Sequence, residues 1–164
     1  MFNMLMYRMI MFNLICFAGV VFLYLNGWLL PAFLLDASYI SYGIVALLGY
    51  SILSNLIRSY NLSKATDIEQ FGPWYARFDH VEDVGAYLVT LGLIGTAIGI
   101  LIAISGVDFT QIGTVAGVEA MSDTLISGMK TAIYTTIVGS FAWMWHNVMF
   151  RMNNTALRLR EEQE

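Results

Sequence analysis

Residues 84–107 read VGAYLVTLGLIGTAIGILIAISGV, a run of 24 residues with no charged side chain. The length of this run decides the fold, because about 20 apolar residues in helical form cross a hydrocarbon core of about 30 Å. Residues 9–35, 37–57 and 131–150 are also free of charge. Hydrophobic residues make up 58% of the chain and mean hydropathy is +0.66, and these runs use most of its 164 residues. In lipid each span must satisfy its own backbone hydrogen bonds, and the continuous runs lack the alternation of barrel strands. The expected fold is an all-α integral membrane protein with four transmembrane helices. Pro31 is expected to mark the break between the first two, since the residue before a proline is driven out of the helical region.

Charge orients these spans. Arg8 precedes the first run; Arg58, Lys64 and Arg77 lie between the second and third; Arg151, Arg158 and Arg160 follow the fourth. The two other connections hold Pro31 to Asp36 and an acidic stretch with Asp108, Glu119 and Asp123. Lys and Arg are retained on the cytoplasmic side during insertion, so both termini and the middle loop are expected there. Lys130 alone breaks the pattern. The organisation that follows is an outer helix pair over 1–58, a cytoplasmic loop over 59–83, an inner helix pair over 84–150 and a cytoplasmic helical tail over 151–164.

Composition excludes several classes. Cys16 is the single cysteine, so neither a disulfide framework nor a cysteine metal site is expected. The first apolar run is too long for a signal peptide and has no clear small-residue cleavage motif. Nucleic-acid binding would need a basic face, which the chain lacks. No catalytic pairing of His, Asp or Ser occurs within the spans, so an enzyme is not expected. In the middle connection, Phe71-Gly72-Pro73-Trp74 reads as a turn or interfacial anchor. His80, Glu82 and Asp83 could be offered as metal ligands, but the preferred reading is a helix start whose acids favour the N-terminal dipole.

The inner pair differs in composition from the outer pair. Gly92, Gly95, Thr96 and Gly99 share one face of the third span; Gly128, Thr131, Ala132, Thr135, Gly139 and Ala142 form a similar stripe on the fourth. Small residues let helices approach closely in lipid, where packing rather than hydrophobic attraction decides association. Thr96, Thr131, Thr135 and Thr136 are hydroxyls at membrane depth. Each can bond its own backbone four residues back, or, repeated around an oligomer, line a polar path. No acidic residue falls inside a span, so the carboxylate that a proton relay requires must come from elsewhere.

Two segments resemble a known family. Leu91-Gly92-Leu93-Ile94-Gly95-Thr96-Ala97-Ile98-Gly99 is similar to the LGLxGTxxG helix of the MotA/TolQ/ExbB ion-channel family. Ile126-Ser127-Gly128-Met129, followed by Ala132-Ile133-Tyr134-Thr135-Thr136-Ile137-Val138-Gly139, is similar to its final helix, and the resemblance covers about residues 84–150. It implies an ion-conducting subunit of an ion-motive-force-driven motor in the bacterial inner membrane. The subunit would form a homo-pentamer around two copies of a single-span partner of the ExbD, TolR or MotB kind, whose aspartate binds the ion. The family's two pore threonines map by motif position onto Thr96 and Thr136. No cofactor is implied beyond the transported proton or sodium ion.

This chain departs from the family pattern at three places. Met144 and Trp145 stand where many members have a proline, which predicts a straighter last helix. Thr131 replaces the acidic residue that TolQ- and ExbB-like members hold five positions before the second threonine. The middle connection is too short for the cytoplasmic domain of flagellar stators, which points to a compact unit. Thr135 would add an oxygen ligand suited to sodium or bond its own backbone, and the proton is the preferred ion. Lys130 is read either as snorkelling or pairing with Asp123, or as an outer gate. His146 and Asn147 are read as interfacial polar residues or a proton exit. The competing function is a non-conducting membrane scaffold whose Gly/Thr faces serve oligomerisation alone.

The charge pattern makes a direct prediction about topology. A reporter fused after Glu164 or inserted at Ser63 should read cytoplasm, and one inserted at Gly113 should read the outer side. A cytoplasmic signal at Gly113 would remove the four-span arrangement.

Overall fold

The computed structural model describes residues 2–64, 80–107, 110 and 113–161. The turn at Phe71–Trp74, Arg77 and Asp108 lie outside the described residues. The chain forms α1 (Phe2–Leu25), α2 (Leu29–Leu34), α3 (Ile40–Lys64), α4 (His80–Ser105) and α5 (Val115–Glu161), with no strand among the described residues. Three segments, Met4–Leu25, Ile40–Lys64 and His80–Ser105, are long and apolar enough to cross a membrane. The fourth uncharged run lies within α5, where Thr131, Thr135, Thr136, His146 and Asn147 make it less apolar than the others. At about 1.5 Å per residue, the 47 residues of α5 reach about 70 Å, and the helix continues through Arg151 and Arg158 without a break.

The break after α1 lies earlier than the proline suggested. Gly27 adopts a φ of 72°, a conformation costly for residues with a Cβ, and ends α1 there. Pro31 instead sits in the first turn of α2, where a backbone N–H would have no helical partner to lose. The helix break therefore belongs to Gly27.

Successive long helices run antiparallel. Tyr50 of α3 meets His80 at the start of α4, Oη to Nε2 at 2.6 Å, while Ile44 packs with Val84, Leu88 and Ala142 in a cluster shared by α3, α4 and α5. α3 and α5 run parallel, joined by Ser51 with His146 and Arg58 with Asn154, then by the cluster of Leu62 and Leu157. α1 lies outside, packing through Met9 against Trp145 and Met149. Only 6% of its apolar window is buried, against 28% for α3 and for α4, so most of its surface, including Phe17 and Phe22, is left exposed by the rest of the chain.

The closest packing is between α4 and α5. A Cβ on Gly99 would lie 2.5 Å from the Ala132 nitrogen and 2.7 Å from the Gly128 oxygen. One on Gly139 would lie 2.9 Å from both the Gly92 Cα and the Leu88 oxygen. Those neighbours are backbone atoms, which have no rotamer by which to move away. Buried positions on α5 recur every three or four residues at Gly128, Ala132, Thr135, Gly139, Ala142 and His146, and on α4 at Gly85, Leu88, Gly92, Gly95, Gly99 and Ala103. This is the spacing that seats one helix against another along a shared seam.

This contact predicts which glycines resist substitution. Gly99→Ala and Gly139→Ala should force the helices apart and lower the melting temperature of the purified protein. Gly43→Ala and Gly49→Ala, where nothing lies within 4 Å, should leave it unchanged. Equal tolerance at all four positions would remove the glycine contact as the basis of this interface.

Candidate functional site

Glycine packing brings two hydroxyls together. Thr96 of α4 and Thr136 of α5 are half-buried and share a short hydrogen bond between their Oγ1 atoms. Thr96 also lies 2.9 Å from the Gly92 carbonyl and 3.3 Å from the Ala132 carbonyl, and Thr136 lies 2.9 Å from that same Ala132 oxygen. A hydroxyl has one proton and two lone pairs. When one proton bridges the pair and the other goes to a backbone carbonyl, lone pairs remain on both oxygens. The pair is thus an acceptor site between two helices, able to receive a proton donor or to ligate a hard cation.

The other two threonines have different partners. Thr135 is fully buried against the notch at Gly95, where a Cβ would lie 2.6 Å from the Thr135 Cβ. Its hydroxyl donates to its own helix, 3.0 Å from the Thr131 oxygen and 3.1 Å from that of Ala132. Thr131, also fully buried, donates to the Leu35 carbonyl at 3.0 Å and lies 3.4 Å from the Ala37 nitrogen. It ties the α2–α3 connection to α5. Gly92, Gly95, Gly99, Gly128 and Gly139 all lie buried along the α4–α5 seam. Lys130 is exposed, and among the described residues no ion pair joins it to Asp123.

Beside Thr131, Asp36 is buried and caps the start of α3. Its oxygens accept from the Ser38 nitrogen at 3.0 Å, the Ser38 hydroxyl at 2.5 Å and the Ser41 nitrogen at 2.9 Å. Burial pushes its carboxyl upward, but the Ser38 hydroxyl and the backbone N–H groups of Ser41 and Ser38 outweigh that and hold it below the ordinary value.

Toward the other end, a polar seam joins α3 to α5. Ser51 Oγ meets His146 Nδ1 at 2.6 Å, Asn153 donates to the Asn55 carbonyl at 3.2 Å and to its side-chain oxygen at 3.1 Å, and Arg58 donates to Asn154 at 2.8 Å. Arg58 was expected at the end of the outer helix pair, as a charge at the edge of the membrane. It is instead 3% exposed within α3, with its guanidinium 5.3 Å from the Phe150 ring centroid. Sequence reasoning missed this seam, although Ser51, Ser54, Asn55, Arg58 and Ser59 fall on one helical face and signalled it. His146, read as interfacial, is 2% exposed.

A polytopic helical membrane protein with a hydroxyl pair clamped between two glycine-packed helices, and with no acid in any of its long uncharged runs, has the makings of a channel subunit. Residues 73–163 match the MotA/TolQ/ExbB proton channel family, more than half of the 164-residue chain, and the chain belongs to that family. No curated protein and no solved structure matches it.

The Asp36 cap predicts a pH dependence with a definite sign. Because the folded carboxyl is held below its ordinary value, its stabilisation is complete above the unfolded pKa of about 3.9 and is lost as pH falls through the lower folded value. Asp36→Ala should cost about 1 kcal/mol near neutrality, as for other lost helix caps. The difference from wild type in detergent melting should shrink as pH drops below that range. A difference independent of pH would show that the charge contributes nothing.

Proposed function

We propose that this chain is the ion-conducting subunit of a membrane motor driven by ion-motive force, with the proton as the ion. Four spans with cytoplasmic termini would place α4 and α5 toward the centre of a ring of five. That ring would enclose two copies of a single-span partner whose helix carries the ion-binding aspartate, in the bacterial inner membrane. The observation that carries this reading is the Thr96–Thr136 pair, an acceptor site at membrane depth in a chain whose spans contain no carboxylate.

The chemistry follows from that pairing. A carboxylate in lipid is costly unless it is protonated or partnered. Lone pairs on Thr96 and Thr136 would accept a hydrogen bond from the protonated aspartate and lose that partner once the proton leaves, so the pair favours one protonation state. Thr135 supports the proton over sodium, because its side chain is fully buried in the notch at Gly95 rather than aimed beside Thr136.

Threonine-to-valine variants keep side-chain shape and test this directly. A hydrogen bond to a charged or proton-sharing group is worth about 1.5–3 kcal/mol, so Thr136→Val should lower ion flux through the assembled complex about 10- to 100-fold. Thr135→Val should conduct normally, and flux at a fixed proton gradient should not depend on sodium. Full flux in Thr136→Val would end the pore assignment at this pair, and absence of flux in the assembled wild-type complex would leave the scaffold reading. A sodium requirement abolished by Thr135→Val would replace the proton with sodium.

A further inference from the structure

The face of α5 that carries Thr136 changes character at that residue. At about 100° per residue, Ser140, Asn147 and Arg151 lie within about 60° of Thr136 on the helix surface. All three point away from the buried seam, Ser140 and Arg151 exposed and Asn147 half-buried. In the opposite direction the same face carries Ile133 and Met129, 54% and 57% exposed. The stripe is therefore apolar on the outer side of Thr136, whereas on the cytoplasmic side Ser140, Asn147 and Arg151 add polar positions beside Trp143 and Phe150, which lie within about 40° of Thr136.

A second observation separates Ser140 and Asn147 from the other polar residues of this run. Thr131, Thr135, Thr136 and His146 each have a hydrogen-bond partner within the chain. Among the described residues Ser140 and Asn147 have none. A hydroxyl and an amide left without partners in hydrocarbon are costly, so both must meet water or another chain. Arg151 marks where the stripe leaves the membrane, and water can enter from that end.

We propose that Ser140 and Asn147 line the cytoplasmic half of the ion path, between the Thr96–Thr136 pair and bulk water, and that Ile133 and Met129 close the outer half of the same face. This rests on the conducting function proposed above. Neither side chain titrates near neutrality, so their part is to order water rather than to carry the proton. From Thr136 to Asn147 is about 16 Å along the helix at 1.5 Å per residue, too far for one transfer and suited to a hydrated groove. The outer half of the route must then be supplied by the partner or by a neighbouring subunit.

Thiol accessibility in membranes containing the complex with its single-span partner tests this. In a Cys16→Ala background, single variants Ser140→Cys, Asn147→Cys, Ile133→Cys and Ile137→Cys are exposed from the cytoplasmic side to a positively charged, membrane-impermeant methanethiosulfonate. The thiolate is the reactive species and forms where water reaches, so positions 140 and 147 should react at least about tenfold faster than 133 and 137. Ser140→Leu and Asn147→Leu should lower proton flux at least about tenfold, the effect of more than about 1.4 kcal/mol on a barrier, in complexes that still assemble. Labelling at 140 and 147 as slow as at 137, or normal flux in assembled Leu variants while Thr136→Val still blocks it, overturns this inference and leaves the conducting function standing. Normal flux in every variant, Thr136→Val included, overturns this inference and the Thr96–Thr136 pore assignment together, and absence of flux in the wild-type complex overturns the conducting function.

Discussion

The backbone contact between α4 and α5 is the constraint on which the rest of the structure depends. Lipid offers no hydrophobic reward for bringing two apolar helices together, so their association relies on close van der Waals packing and on hydrogen bonds between them. Gly92, Gly99, Gly128 and Gly139 let the backbones touch, and the Thr135 side chain fills the notch at Gly95. This approach is what lets Thr96 reach both Thr136 and the Ala132 carbonyl. A wider separation would leave each hydroxyl bonded only to its own helix.

Around that pair, α3 is held to α5 by contacts of different chemistry along its length. At one end Asp36 caps α3 and Thr131 grips the connection before it. In the middle, Ile44 joins Val84, Leu88 and Ala142. Toward the opposite end a polar seam takes over, from Ser51 and His146 to Arg58 and Asn154. Directional contacts of this kind fix the register of the two helices. α1 adds an apolar cover through Met9, with the Trp145 indole donating to Asn13 at 3.0 Å.

Where a signal was periodic, it could be read. The Gly92–Gly95–Gly99 and Gly128–Gly139 faces were legible because three- and four-residue spacing survives in the primary sequence, and Thr96 and Thr136 were legible through the motifs around them. Pro31 was legible as lying in the connection between the first two spans, while the short helix that holds it and the Gly27 conformation that ends α1 were not. Arg58 was read as a topological charge, which is how an isolated basic residue before a loop usually behaves. Phe150 and Asn154, almost a hundred residues away in sequence, lie against it.

By itself the sequence determined the helical class, the positions of the apolar runs and the small-residue faces, because each follows from local composition and helical periodicity. The tertiary structure decided which of four threonines share a proton. Adjacent residues on one helix point about 100° apart, so Thr135 turns into the α4 notch while Thr136 turns to Thr96. That choice depends on the rotation of α5 against α4, set by backbone contact at glycines, and no stretch of sequence contains it alone.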